Sequence, residues 1–453
     1  MRIVRRLFFF LALALIVCNG KAIAEGRPNF IVILADDLGY GDLGCYGSES
    51  NQTPNLDRLA AEGISFTDFH SNGPMCTPTR AALLTGQYQQ RFGRMFESAL
   101  SGKEHFRQGL PLESLTLAEV LNDSGYATGC FGKWHLGYQP PYLPTDHGFN
   151  EFRGLASGDG DHHSHIDRSG RADWWHNNRP YPESGYTADL LVEHAMTFIE
   201  THQKEPFFVY LPHLAIHFPW QGPSDPPHRK EGRDYWDDKW GVIPDPNNVR
   251  PHIKAMVESI DSGVGEIVDL LKRLGLEEDT LVFFLSDNGG YTHYGNSHKN
   301  ISSNGLLRGQ KTELFEGGHR VPAIAWWPGR IRPAISNDVA MTFDLMPTIV
   351  GLSKGEIPSE FRFDGVDLSP VLFQTGGIVP RTLFWRMDDE AAVRRGPWKW
   401  IRKGQGKPQL FDLVSDLGET RDMQGEHPSM VAEFAKDLAL WERTIENGGR
   451  MGE

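Results

Sequence analysis

An α/β sandwich is the fold this 453-residue sequence predicts: one large, mostly parallel sheet flanked by helices, then a small C-terminal antiparallel sheet with a helix. Two observations carry the prediction. Four short runs are apolar at nearly every position, "NFIVIL" (29–34), "PFFVYL" (206–211), "TLVFFL" (280–285) and "PAIAWW" (322–327), as strands buried on both faces must be, and helical patterns lie between them. The last seventy or so residues change character: "RTLFWRM", "AAVRRGPWKWIR" and "PQLFDL" read as short two-sided strands, and "PSMVAEFAKDLALWERTI" as an amphipathic helix.

The elements follow in chain order. Residues 1–24 have the parts of a secretory signal peptide: Arg2, Arg5 and Arg6, the apolar run "LFFFLALALIV", and Ala22-Ile23-Ala24 as a cleavage site. Cys18 raises the alternative of a lipoprotein, but Val17 is a poor residue before a lipidated cysteine, so cleavage after Ala24 is preferred. Thr53 and Pro54 are the N-cap and first position of a helix that Gly63 closes. Thr116 and Glu119 make a capping box before "LAEVLNDSGY". "IKAMVESIDSGVGEIVDLLKRLG" keeps helical spacing of apolar residues through Leu274. The division expected is a main domain over 25–378 and a C-terminal subdomain over 379–453.

Formal charge is −14, and loss of the signal's four basic residues takes the mature chain to −18. Bulk attraction to nucleic acid or an anionic membrane is thereby excluded, and an anionic ligand would need local cations. After the signal no run is long and apolar enough to span a bilayer, so the expectation is an exported protein of a periplasm, the exterior or a lumen. Cys45, Cys76 and Cys130 then remain, an odd number that leaves at least one sulfur unpaired within the chain.

Ligands of parallel α/β sheets sit at the carboxyl ends of the strands. "NFIVIL" is followed by Asp36 and Asp37, "TLVFFL" by Asp287 and Asn288. Each pair alone reads as an ordinary strand-to-turn junction. Together they offer three carboxylates and an amide, which a hard cation such as Ca²⁺ or Mg²⁺ would neutralise better than Zn²⁺. In "NGPMCTPTRAALLTG" (72–86), Thr77-Pro78 fits a helix start; this places Cys76 at a positive helix end with Arg80 on the same face, a setting for an oxyanion. If "GCFGKWHLG" (129–137) is extended, Lys133 and His135 share a side opposite Trp134, which suits an anion between them. Of the two histidines in "LPHLAIHFPW", His217 is the functional candidate and His213 the structural one; Lys311 precedes a Gly-Gly turn in "RGQKTELFEGGHRVP".

Taken in order, "ADDLGYGDLGCYG", "CTPTRAALLTG", "GKWHLG", "HFP", "LSDNGG", "KTELFEGGHRVP" and "LFDLVSDLGET" resemble the type I sulfatase family, which has the alkaline-phosphatase-like fold. The resemblance covers nearly the whole mature chain. It implies that Cys76 is oxidised by a formylglycine-generating enzyme acting on the unfolded chain, giving an aldehyde whose hydrate is the nucleophile. It implies further that Asp36, Asp37, Asp287 and Asn288, with an oxygen of the modified Cys76, bind one Ca²⁺. Arg80 and Lys133 would hold the hydrate, Lys311 and His217 the sulfate, and His135 the second hydroxyl. His217 or Lys311 would protonate the departing alcohol. The sequence departs from the family pattern at Thr79 (usually serine), Leu306 (commonly proline) and Thr312 (commonly glycine).

A sulfated carbohydrate, of glycosaminoglycan or algal type, is the substrate class such a family member implies. The His- and Trp-rich stretch 157–178 and the stretch 291–300 are candidate sugar-binding loops, with His163, His165, His293 and His298 as candidate contacts; His165 is the one placed at the sulfate. "WRMDDE" (385–390) is a third candidate. Two rivals are a phosphate or phosphonate ester hydrolase of the same superfamily, and a non-catalytic sulfated-glycan-binding protein if Cys76 stays unmodified. Cys76 in place of a Ser or Thr nucleophile argues against the first.

Overall fold

The structure is a computed structural model that describes residues 26–241 and 248–446; the predicted signal lies outside them. Among these residues, eleven strands form one sheet. Seven of its strands run side by side in the order Ile64–His70, Arg320–Trp326, Thr280–Ser286, Asn29–Ala35, Phe207–Pro212, Ala127–Lys133 and Glu151–Leu155. The last five of these are mutually parallel. Arg320–Trp326, which contains "PAIAWW" up to its first tryptophan, is antiparallel to both its neighbours, so the sheet is mixed at that side.

The uniformly apolar runs have a direct cause in the layering. Phe30, Val32 and Leu34 enter one hydrophobic core, while the alternating Ile31, Ile33 and Ala35 enter a second on the opposite face. Helices Cys76–Thr85, Leu117–Asp123 and Leu345–Ser353 contribute to the first core; Pro54–Glu62, Thr187–His202 and Arg250–Leu274 contribute to the second. The Thr116–Glu119 capping box forms in both directions. Thr53 does not cap with its side chain: its hydroxyl instead accepts from the Gly44 amide at 2.8 Å and donates to Asp57 at 3.0 Å.

A separate antiparallel sheet of four strands, Thr382–Met387, Glu390–Arg395, Trp398–Arg402 and Gln409–Asp412, packs with the helix Pro428–Glu446 around a third core. Tyr88, Met341 and Phe343 of the main body also enter that core. A buried polar cluster adds to the junction: Arg394 pairs with Asp68 at 2.6 Å, and Lys399 with Glu316 at 2.9 Å and Glu419 at 3.0 Å. No helix of the described residues is long and apolar enough to cross a membrane.

Candidate active site

Four adjacent parallel strands, Thr280–Ser286, Asn29–Ala35, Phe207–Pro212 and Ala127–Lys133, end on one side of the sheet. Asp287 and Asn288, Asp36 and Asp37, His217 and Lys133 therefore converge there, as the position of ligands in parallel sheets requires. Helix Cys76–Thr85 starts at Cys76, one residue before the predicted Thr77-Pro78 start, behind an extended Met75. Cys76 thus occupies the first turn, where unpaired amides favour negative charge. Ligand atoms of Asp36, Asp37, Cys76 and Asp287 all lie within 4.8 Å of one another, and all four residues are buried.

The cationic side chains are interleaved with these carboxylates. Arg80 is fully buried and donates to Asp287 Oδ2 through Nε at 3.1 Å and Nη2 at 2.7 Å, and to the Lys133 carbonyl at 2.6 Å. Lys133 contacts Asp36 and Lys311 contacts Asp37, and each ammonium lies 3.4 Å from Cys76 Sγ. Burial, and then the neighbouring Asp287, push the Asp36 carboxyl up to about 7 despite Lys133 and Arg80. Burial pushes the Cys76 thiol up to about 12, against the pull of the two lysines. An unmodified Cys76 is therefore a protonated, unreactive thiol at neutral pH. Burial would lower Lys311, but Asp37 outweighs it and holds the ammonium well above its usual value.

The donor set fits a hard cation. Three carboxylates are already matched in charge by Arg80, Lys133 and Lys311, so charge alone does not demand an ion. The amide does: Asn288 gives both its N–H bonds to Asp37 Oδ1 (2.8 Å) and the Gly289 carbonyl (3.0 Å), while its buried Oδ1 has no partner among the described residues. An orphaned amide oxygen beside three carboxylates is an oxygen ligand set of the kind Ca²⁺ takes.

The two histidines are held by their backbones' neighbours. His135 does not continue the strand beside Lys133: its φ of 55° turns the chain, and the two side chains do not share one strand face. Its Nε2 donates to the Leu100 carbonyl at 2.9 Å, so its buried, unpartnered Nδ1 is a bare acceptor. His217 Nδ1 donates to the Phe218 carbonyl at 2.7 Å, leaving Nε2 as acceptor 3.9 Å from Asp37. Burial, joined by the charges of Lys133 and Lys311, holds His217 well below its ordinary value, and burial with Lys133 does the same for His135. His213 is buried with neither ring nitrogen paired and does not reach the pocket.

A pocket of about 210 Å³ opens over this cluster. Cys76, His135, His217 and Lys311 form its buried end, and half-buried Arg168, Trp236, Lys239, Tyr291 and Tyr294 line it further out. The expected sugar loops do contribute, but not through their histidines. His165 stacks on Trp174 with ring centres 4.3 Å apart and does not line the pocket, whereas Arg168, three residues later, does. His163 bonds the Gly222 carbonyl, His298 packs against Trp220 and Trp240, and exposed His293 bonds Thr292; Tyr291 and Tyr294 line the pocket instead. Arg386 of "WRMDDE" is turned to Glu97 and Glu442. Sequence reasoning also missed Asp42, whose carboxylate accepts from the Gly39 and Ser303 amides and pairs with Ser302 and Arg250. It fixes the loop that leaves Asp36 and Asp37, and its only sequence signal was its place inside "ADDLGYGDLG".

Comparison with known proteins agrees with this geometry. The model of the family described as Sulfatase matches residues 28–355. Arylsulfatase A of Bos taurus is 37% identical over 91% of this chain and 86% of its own length. N-acetylgalactosamine-6-sulfatase of Rattus norvegicus is 34% identical over 90% of this chain and 79% of its own. The solved structure of Ps i-CgsB in complex with k-i-k-neocarrahexaose superimposes with a TM-score of 0.80 at 29% identity, covering 92% of both chains. A phosphonate monoester hydrolase of Agrobacterium radiobacter shares the fold, with a TM-score of 0.65 at 20% identity. By its matched motifs, its strand-end cluster and these relatives, the chain belongs to the sulfatase family and is a sulfuric ester hydrolase.

Proposed function

We propose that the chain hydrolyses a sulfate ester on a carbohydrate, with residue 76 as the nucleophilic position. The observation that carries the reading is Cys76 at the pocket's buried end, on a helix N-terminus, with two lysine ammonium groups 3.4 Å from its sulfur and a carboxylate-amide cluster beside it. Oxidation of Cys76 to formylglycine supplies a hydrated aldehyde, whose two hydroxyls serve as nucleophile and as exit route. Asp36, Asp37, Asp287 and Asn288 would hold Ca²⁺, which supplies charge stabilisation at the sulfuryl oxygens. Cys76 is 1% exposed, so the modifying enzyme must reach it before the chain folds.

The chain's own residues then divide the work. Lys133, Lys311 and Arg80 are fixed donors for an oxyanion and need no reorganisation to bind it. Asp36, Asp37 and Asp287 orient Lys133, Lys311 and Arg80 in turn through the ion pairs already formed. His135 Nδ1, unpaired and neutral, is the acceptor for a proton leaving residue 76. For the alcohol's proton, the free site favours Lys311, which is protonated, over His217, whose Nε2 is bare and whose charging is opposed by burial and two lysines.

The sugar is supported by the relatives that act on N-acetylgalactosamine-6-sulfate and the structure solved with a neocarrahexaose. Export is supported by the basic, apolar and Ala-x-Ala segments of residues 1–24. Peptide mass spectrometry across Cys76, combined with rates on an aryl sulfate, an aryl phosphate and sulfated sugars, tests the reading. An aldehyde at residue 76 and preference for sulfate are expected. An alkylatable thiol in fully active protein would refute it.

A further inference from the structure

Resting on that reading, we propose that Lys239 binds a second anionic group of the substrate, a sulfate or carboxylate on the sugar beside Tyr291 and Tyr294, so that multiply charged glycans are the preferred substrates. Among the described residues the pocket wall contains two carboxylates, and each is already neutralised. Asp159 pairs with Arg168 at 2.7 Å and Arg229 at 3.2 Å, and Asp167 with Arg171 at 2.8 Å. Lys239 has no ion-pair partner among the described residues. Its ammonium donates to the Tyr294 hydroxyl at 3.0 Å and lies 5.6, 4.6 and 4.7 Å from the ring centres of Phe218, Trp240 and Tyr294.

Two contact paths tie this cation to the reacting end of the pocket. His217 packs on Phe218 with ring centres 4.0 Å apart, and Phe218 in turn meets Lys239. On the other wall, Lys311 lies over Tyr291 at 5.3 Å, Tyr291 meets Tyr294 at 5.6 Å, and Tyr294 holds Lys239. One aromatic side chain on the His217 wall and two on the Lys311 wall thus separate this ammonium from the residues that face the scissile ester. That spacing suits two substituents on one sugar, or groups across one glycosidic bond. A chain of net charge −14 repels a polyanion at long range, which makes an uncommitted local cation useful to specificity.

The test compares one disaccharide carrying a single sulfate with the same disaccharide carrying two. In Lys239→Gln the ratio of kcat/KM, disulfated over monosulfated, should fall about tenfold, mainly through KM, the usual loss of a charge-assisted contact. Lys239→Arg should keep most of the ratio, and rising salt should erode it in the parent but not in Lys239→Gln. An unchanged ratio in a folded Lys239→Gln enzyme overturns the proposal. If the parent releases sulfate from neither sugar and not from an aryl sulfate either, the hydrolytic reading itself has failed. Calorimetric binding of the same two sugars still decides the role of Lys239, because equal affinity of parent and variant for the disulfated sugar overturns it.

Discussion

Replacing Lys399 by methionine should destabilise the chain by about 3–5 kcal/mol, although the residue lies outside the pocket. Lys399 is fully buried and its ammonium meets Glu316 Oε1 at 2.9 Å, Glu419 Oε1 at 3.0 Å and His319 Nε2 at 3.0 Å. After the substitution Glu316 keeps Arg320 at 3.2 Å and Arg394 at 3.6 Å. Among the described residues Glu419 keeps only the Glu316 amide at 2.7 Å, so above its folded-state pKa it is the group left charged and unpaired. For a chain of this length, an unfolding entropy of about 2.1 cal/mol/K per residue converts the loss to a drop in Tm of ~3–6 °C. Burial already raises the Glu419 carboxyl to about 7 with Lys399 present. Both proteins lose stability alike as pH climbs from the unfolded carboxyl value to about 7. Above that only the variant, whose Glu419 is raised further without Lys399, goes on losing, so the penalty of Lys399→Met should grow from about pH 7 upwards and stay flat between about pH 7 and pH 5. Adding Glu419→Gln keeps an acceptor for the Glu316 amide and removes the charge; the double variant should recover more than half of the loss. Thermal and denaturant unfolding of the four proteins of this cycle give the answer. A single-variant cost below about 1 kcal/mol, or a double variant no more stable than Lys399→Met, would refute the reasoning.

Three further outcomes are expected. Cys76→Ser should fold normally and release about one equivalent of alcohol, because the serine oxygen can take the sulfuryl group while its proton leaves with the alcohol. With no second hydroxyl to expel sulfate, turnover should then fall at least ~10³-fold; sustained turnover would exclude the role given to residue 76. Ca²⁺ at about a hundred times its Kd should stabilise the chain by ~2.7 kcal/mol, and Asn288→Ala should lose most of that response; identical unfolding curves with chelator and with Ca²⁺ would count against the ligand set. Thr312→Gly should raise stability by up to about 1 kcal/mol, since Thr312 is held at a φ of 75°, where a β-branched residue is strained and glycine is not; a loss on denaturant titration would show that its side chain makes a compensating contact.

What the sequence made legible follows how local the determining physics is. Strands buried on both faces announce themselves because alternate residues serve two cores, and a residue directly after such a strand has its position fixed by the sheet. Asp36, Asp37, Asp287 and Asn288 were readable for that reason, and so was Cys76, one residue from a helix start. The orientation of Arg320–Trp326 was not, because an apolar run carries no sign of direction and its pairing partners are distant in the chain.

The pocket wall was legible only as a region. In 157–178 the histidines drew attention as chemically versatile groups, yet burial against Trp174 and the Gly222 carbonyl commits His165 and His163 to the fold. Arg168 and Lys239 are ordinary surface residues by sequence. What distinguishes them is pairing: Arg168 is committed to Asp159, and Lys239 to no carboxylate among the described residues. Charge pairing across a pocket depends on which loops meet, a property of the closed fold that no local pattern encodes. The strand-end and helix-start motifs thus locate the reaction, while the charge balance of the pocket wall, on which the role proposed for Lys239 rests, is set only when the loops meet.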